Sequence, residues 1–404
     1  MVKFASLGIF VFRQLAVSAV LVLSVGSCPA TAQTGSNPQR EFSELSAQAA
    51  AARDSNRLQD ALVLYRKALT RKPAWAEGWW SLGTISYDQN SYAEAARAFQ
   101  KVIALAPSDG TAYVMLGLCE FELGYNDAAL KHIERGENLG LDQDPDLRHV
   151  ALYHQGVLLQ RKEKFQAARE ILEQLCLQGA EGDDISIALG MTMLRQASKT
   201  PPAAGSTDAG VVTKIGQAEC LTAQKKFDEA RSRFDAVLAG YSKYPEIHYA
   251  YGLALVEASA LPAAIAQFRQ EIENNPSDVI SRLQIAAADY KIDSAAGLPY
   301  AEQAVKLAPK QPFAHLVLGL LLLDVDNFQR AIPELEIARK GFPSDARVYL
   351  ALGTAYSRAG RRADAARARA TAQRLSEHMQ PENGLGSAQG TPDLPLSPPL
   401  RAPQ

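Results

Sequence analysis

Strands are the first thing this sequence lacks. No sustained run of β-branched and aromatic residues alternates with polar ones, and aromatics make up 7% of a chain that is 47% hydrophobic over 404 residues. Sheets and barrels are excluded on that pattern. Excess charge is missing too. Forty-two basic against 44 acidic residues leave a formal charge of −2, so no bulk field draws the chain to nucleic acid or anionic lipid. Metal-ligand spacing is absent: His149 and His154, five apart, point to different sides of a helix, and neither HExxH nor CxxC occurs. Gly384 to Gly390 lacks the strand and helix that would make a glycine-rich stretch a phosphate cradle, and there is no P-loop or nucleophile elbow. No metal, cofactor or small-molecule substrate is expected, and no catalysis.

What is present is a 34-residue step. A small residue recurs as Ala61, Ala95, Ala129, Ala168, Ala230, Ala264, Gly297, Ala331 and Ala365. Four positions later stands a bulky or apolar side chain in most units: Tyr65, Phe99, Ile133, Leu172, Phe234, Phe268, Leu335. A second small residue recurs as Gly83, Gly117, Gly156, Gly190, Gly252, Gly319 and Gly353, and prolines close units at Pro73, Pro107, Pro276, Pro309 and Pro343. Small residues let two helices approach closely, the bulky residue one turn on fills the space beside them, and proline stops the second helix. The spacing predicts about nine helix-turn-helix units. It breaks twice. After Gly190 no second helix arrives before the linker-like "SKTPPAAGSTDAG" (198–210), and one residue is lost around Asp293 to Leu298, which predicts a loosely packed unit there.

Units such as Ala76 to Pro107 and Pro312 to Pro343 resemble tetratricopeptide repeats. Trp79, Leu82, Gly83, Ala95, Phe99 and Pro107 meet the family pattern, with Ser86 where Tyr is usual; Tyr349, Leu352, Gly353, Tyr356 and Ala365 meet it in the ninth unit, where Arg369 departs at the Phe position. The resemblance implies an all-α fold, an α-solenoid forming a right-handed superhelix, with the first helix of each unit lining an inner groove. It also implies a role: a scaffold or adaptor that binds a peptide or helix of another protein. The inward positions carried over from the family include Trp80, Thr84, Tyr87, Val114, Leu118, Phe121, Tyr153, Val157, Tyr249, Leu253, Phe313 and Leu320. The basic clamp by which chaperone-binding members hold a C-terminal carboxylate is absent, since Trp80, Thr84, Val114 and Leu118 stand at those positions. Few polar groups converge among the inward residues. His248 and His315 take the place of Trp79 in their units and are read as packing residues.

The ends are different in kind. Residues 1–32 read as a signal peptide: Lys3 and Arg13, then the apolar Leu15 to Val25, then the small residues Ala30 to Ala32. Export to a periplasm or secretion is expected, with the membrane touched only by that segment. "VGSC" resembles a lipoprotein lipobox, so lipidation at Cys28, giving a lipid-anchored envelope assembly factor, is the alternative; the regulatory part of an envelope hydrolase is a third. The expected organisation is a short linker at 33–40, an N-terminal array at 41–197, a linker or hinge at 198–210, a C-terminal array at 211–379 and a proline-rich tail at 380–404 that cannot bury enough apolar area to order. Cys119, Cys176 and Cys220 sit in apolar helical patterns and are expected to be buried free thiols, with a single disulfide or a reactive group as alternatives.

Overall fold

The structure is a computed structural model that describes residues 38–141, 145–180 and 182–378. The expectations placed on residues 1–32, Cys28 and the tail from 380 lie outside the described residues. Among the described residues there are nineteen helices and no strand, an all-α, α-solenoid arrangement. Chain packing forms two compact units that meet in sequence at Gln155 and Gly156. The first holds α1 (Pro38–Asp54), α2 (Leu58–Arg71), α3 (Ala76–Asp88), α4 (Tyr92–Leu105), α5 (Gly110–Glu122) and α6 (Asn126–Leu139). Helix α7 (Pro145–Arg161) runs through the boundary. The second unit continues with α8 (Phe165–Leu177), α9 (Asp183–Met193), α10 (Thr207–Ala223), α11 (Phe227–Tyr241), α12 (Ile247–Glu257) and α13 (Leu261–Asn274). It ends with α14 (Val279–Ile292), α15 (Ser294–Leu307), α16 (Pro312–Asp324), α17 (Phe328–Gly341), α18 (Ala346–Arg358) and α19 (Arg362–His378).

The repeat is visible in the backbone as well as in the side chains. First helices other than α14 end on a left-handed residue: Asn56, Asn90, Gly124, Glu163, Arg195, Lys225, Ser259, Asp326 and Gly360 all have positive φ. The next amide closes the turn by reaching back five residues, as Ser91 N does to Ser86 O at 2.8 Å and Asn327 N to Leu322 O at 2.7 Å. Inside each pair the small and large residues meet sixteen positions apart. A methyl added at Gly83 would lie 2.9 Å from the Phe99 ring, at Gly156 2.6 Å from Leu172, and at Gly252 2.4 Å from Phe268. In the last pair the Arg369 stem takes the place of the ring against Gly353.

The aromatic that opens a first helix has a second task besides packing. Trp79 Nε1 donates to Pro73 O at 2.8 Å and Tyr349 OH to Pro343 O at 2.9 Å. His315 Nε2 reaches Pro309 O at 3.0 Å and His248 Nε2 reaches Ser242 O at 2.9 Å. In each case a ring-borne donor satisfies a carbonyl six residues back, in the turn between repeats. Trp, Tyr and His interchange there because all three carry that donor.

The two breaks resolve differently. Of the segment 198–210, Thr207 to Gly210 form the first turn of α10, with Ser206 Oγ accepting from Ala209 N. Helix α9 has no second helix of its own and packs along α10. There Gly190 and Gly216 face each other so closely that a methyl at Gly216 would lie 1.8 Å from Ser186 O. The expected loose packing near Gly297 is not found. Asp293, in extended conformation, ends α14 through its N–H to Asp289 O and caps α15 by accepting from Ala295 N, so losing one residue shortens the turn without parting the helices. Leu283, Ala286, Tyr290, Ala301 and Ala304 are buried together across that pair. The free-thiol expectation also needs correcting. Cys176 on α8 and Cys220 on α10 form a disulfide with Cα atoms 5.4 Å apart, because the missing second helix leaves α10 beside α8. Cys119 remains free and buried, its thiol pushed up to about 12 by burial and by Glu120.

Candidate functional site

The inward residues fall into two classes. Trp80, Thr84, Tyr87, Phe121 and Tyr153 in the first unit, and Val157 in the second, are half-buried. Val114 and Leu118 in the first unit, and Tyr249, Leu253, Phe313 and Leu320 in the second, are buried in their cores. The half-buried rings rest on the helix pair behind them. Trp80 stands edge-on to Phe99 with centroids 5.4 Å apart, Tyr87 edge-on to Tyr92 at 5.4 Å, and Phe121 and Tyr153 edge-on to His154 at 4.7 and 5.2 Å. Burial pushes the Tyr87 phenol above its ordinary range, so it stays neutral. These edge contacts fix where the rings stand.

Tyr249 and Leu253, one turn apart on α12, do more than pack. They line a cavity of about 360 Å³ in the second unit with Phe165, Arg169, Thr192, Met193, Arg195, Glu246 and Ile280. Its polar side is built from two arginines, Arg169 buried and Arg195 half-buried. Arg169, one turn into α8 and next to the small Ala168, is 3% exposed. Its Nε donates to Glu219 Oε1 at 2.7 Å and lies 2.6 Å from Glu173 Oε1, and its Nη2 donates to Glu257. Burial works to lower its pKa, but Glu219, Glu173 and Glu257 outweigh it and hold the charge in place. These three carboxylates lie within 4.8 Å of one another, a spacing that suits a metal ion; here Arg169 supplies the positive charge among them.

Arg195 is the left-handed residue that ends the α9 turn. Its Nη2 donates to Glu246 Oε1 at 2.7 Å and to Asp278 Oδ1 at 3.1 Å, and its guanidinium lies 4.8 Å over the Tyr249 ring. Asp278 is also the N-cap of α14, accepting from Ile280 N and Ser281 N. Glu246, before α12, has φ +65, a conformation few non-glycine residues take. It is held there from α13, where Glu271 accepts from Glu246 N at 3.1 Å and Tyr249 N at 3.3 Å. Burial lifts the Glu246 carboxyl to about 7 against the pull of Arg195. Burial likewise raises Glu219 well above the usual carboxylate range.

The expectation of few convergent polar groups therefore fails for this face. It counted only the inward first-helix positions, whereas Arg169 enters from a second helix, Glu219 from α10, the first helix after the break, and Arg195 and Glu246 from turns. One signal was readable. Ile215, Ala218, Glu219 and Thr222 share a helical stripe, so Glu219 interrupts an apolar face and is fully buried there. Arg195 and Glu246 carried no such signal. The groups converge as ion pairs, with no serine or cysteine nucleophile beside a base among the cavity-lining residues.

The family comparison agrees with the paired helices. The family described as Tetratricopeptide repeat matches residues 46–110, 87–146, 217–279 and 316–377, together more than half of the chain. No curated protein matches the sequence. Among solved structures, the chain is similar to MamA at 20% identity and TM-score 0.38, over 40% of this chain and 95% of that one. It is similar to yeast Tom70 at 14% identity and TM-score 0.33, over 85% of each chain. It is also similar to the Cut9–Hcn1 hetero-tetramer of APC/C at 17% and 0.32, over 84% of this chain and 68% of that one.

Proposed function

Because the chain belongs to the tetratricopeptide repeat family, and so to a family of protein-protein interaction scaffolds, we propose that its first helices hold a peptide or helical segment of another exported protein, and that it performs no reaction of its own. The observation that carries this reading is the set of half-buried rings Trp80, Tyr87, Phe121 and Tyr153 at the inward register of the first unit, each fixed by an edge contact to a neighbouring ring. Rings held this way lose little freedom on binding and are the usual energetic anchors of interfaces. Photo-crosslinking groups placed at Tyr87 and Tyr153 in the cell envelope identify the partner. Trp80→Ala with Tyr153→Ala should then lower its capture at least tenfold while helicity by circular dichroism is unchanged. Undiminished capture removes the groove assignment.

Export is part of the proposal. It is supported by the composition of residues 1–32 and by the Cys176–Cys220 disulfide, a bond that persists in oxidising compartments and is rare in reducing ones. Among the described residues no helix is long and apolar enough to cross a membrane. The lipid-anchored reading rests on "VGSC" alone. Intact mass separates the two: a mature chain starting at Gln33 excludes the anchor, and one starting at a lipidated Cys28 requires it.

A further inference from the structure

Two ties cross the break from α8 to α10, and they lie side by side. Glu173 and Cys176 stand three positions apart on α8, while Glu219 and Cys220 are neighbours on α10. The disulfide joins the cysteines, and Arg169 joins the glutamates. The ionic tie is incomplete, because one guanidinium serves Glu173, Glu219 and Glu257. The single hydrogen on Arg169 Nε goes to Glu219 Oε1, so Glu173 Oε1, 2.6 Å from the same nitrogen, accepts none, and Glu219 Oε2 is buried without a donor as well. A buried carboxylate oxygen without a donor is costly, and a proton relieves it. Burial, opposed by Arg169 and reinforced by Glu173 and Glu257, holds the Glu219 carboxyl well above the usual range, with its proton donated to Glu173. The second tie guards that proton. Cys220 adjoins Glu219, so while the disulfide is closed α10 cannot part from α8 at the point where Glu219 is shut away from water.

We propose that the Cys176–Cys220 bond is a redox lock on the joint between α8 and α10: closed, it keeps the joint indifferent to pH, and opened, it lets the joint loosen as Glu219 ionises. The lock belongs to the second unit alone and works whatever the first unit binds. Cys176 is 1% exposed whereas Cys220 is half-buried, so an attacking thiolate arrives at Cys220. One sulfur of a dithiol bonds to Cys220 Sγ while Cys176 leaves as a thiolate and takes a proton; the second sulfur of the dithiol then displaces Cys220, which takes the other proton. Two electrons pass from the dithiol, which ends as a cyclic disulfide, to the protein, which ends with two thiols. Arg169 and Glu173 on α8 and Glu257 on α12 are the charged groups that act on Glu219; α9 and α11, also packed on α10, contribute none. Below its raised value the folded Glu219 keeps a proton that an opened joint releases down to the ordinary 4.5, so the reduced joint weakens as pH rises between those values. Arg169 also lines the cavity beside Tyr249 and Leu253, so loosening the joint alters the wall of that cavity.

Hydrogen exchange in α10 of the purified full chain tests the lock, read as protection factors so that the intrinsic rise of exchange with pH drops out. Dithiothreitol opens the bond at pH 8; two newly alkylated cysteines by mass confirm the opening, and far-UV circular dichroism shows the helices intact. In the oxidised chain the α10 protection at pH 6 and at pH 8 should agree within threefold. In the reduced chain it should fall at least tenfold from pH 6 to pH 8, and Glu219→Gln, whose amide donates to Glu173 at any pH, should remove that fall. Cys220→Ser should behave as the reduced chain without any reductant. Equal pH responses of the oxidised and reduced chains overturn the lock without recourse to any variant, as does a bond that dithiothreitol opens only when the helices unfold. A fall that survives Glu219→Gln overturns the part given to Glu219.

Discussion

The first and second units solve the same packing problem with different chemistry. In the first, the described buried positions are mostly apolar, and the one buried acid among them, Glu120, is met by His132 Nδ1 at 2.6 Å. In the second, Arg169, Glu219, Glu271, Asp278, Arg282 and Asp289 are all buried. The difference follows from the repeat. Where the 34-residue step is intact, the small-to-large contact between Gly83 and Phe99 is copied from pair to pair, and each helix inherits a place. Where it fails, after α9, no inherited contact positions α10, and specific ties replace it. The disulfide joins α8 to α10, Arg169 joins α8 to α10 and α12, and Arg195 joins the α9 turn to α12 and α14. Regularity makes polar ties unnecessary; irregularity recruits them.

The sharpest way to break that contrast is to remove one arginine from each unit. Arg169→Met leaves Glu173, Glu219 and Glu257 facing one another without their cation, and unpairing a buried charge costs about 3–5 kcal/mol. Arg66 in the first unit makes a two-pronged bridge to Glu94, both bonds 2.9 Å, but the arginine is 46% exposed and Arg66→Met should cost under about 1 kcal/mol. Urea unfolding followed by circular dichroism measures both. Adding Glu219→Gln to R169M should recover part of the loss, because it removes one of the orphaned charges. Equal losses at the two arginines would mean that the buried cluster holds nothing in place.

A smaller effect separates the glycines. At Gly216 an added methyl would lie 1.8 Å from the backbone oxygen of Ser186, so α9 and α10 must move apart, and Gly216→Ala should cost about 3 kcal/mol, the upper end for overpacking. At Gly83 the obstacle is the Phe99 ring at 2.9 Å, which can tilt. The gain in helix propensity, about 1 kcal/mol, should then bring Gly83→Ala close to neutral. Melting temperature reports both, and a Gly83→Ala variant as damaged as Gly216→Ala would show that side-chain and backbone obstacles are equivalent here.

These residues also mark what could be read from the sequence. The step of small and bulky residues gave the pairs, because a contact repeated at fixed spacing leaves a periodic trace. The extra helix α9 was visible as a second helix that never arrives. The disulfide was not, since it depends on α10 lying beside α8, which no periodicity encodes. Inward positions carried from the family located the half-buried Trp80, Tyr87, Phe121 and Tyr153, but could not tell them from Val114 or Phe313, whose burial is decided by neighbouring helices. Arg169 and Glu246 were silent because a charged residue near a helix start reads as solvated unless its surroundings are known.

The contrast sharpens last through pH. Glu246 titrates near 7 in the folded second unit, raised first by burial and then by Asp278 and Glu271 against the pull of Arg195, whereas an unfolded glutamate titrates near 4.5. Between those values the folded chain holds a proton that the unfolded chain has released, so stability falls as pH rises through this window and the loss is complete above pH 7. From pH 6 to pH 8 the Glu246 contribution amounts to about 1 kcal/mol, since each unit of displacement is worth about 1.4 kcal/mol and roughly one unit is traversed. Amide exchange in α12 should therefore quicken over that range beyond the intrinsic base-catalysed rise, and Glu246→Gln should abolish the excess. Glu137 in the first unit is also lifted to about 7 by burial and by Glu134, but it belongs to no ionic cluster that ties three helices. Exchange in α3 should consequently be indifferent to Glu246→Gln. If α3 responds as α12 does, the two units share one unfolding event, and the local meaning assigned to the buried charges gives way to a global one.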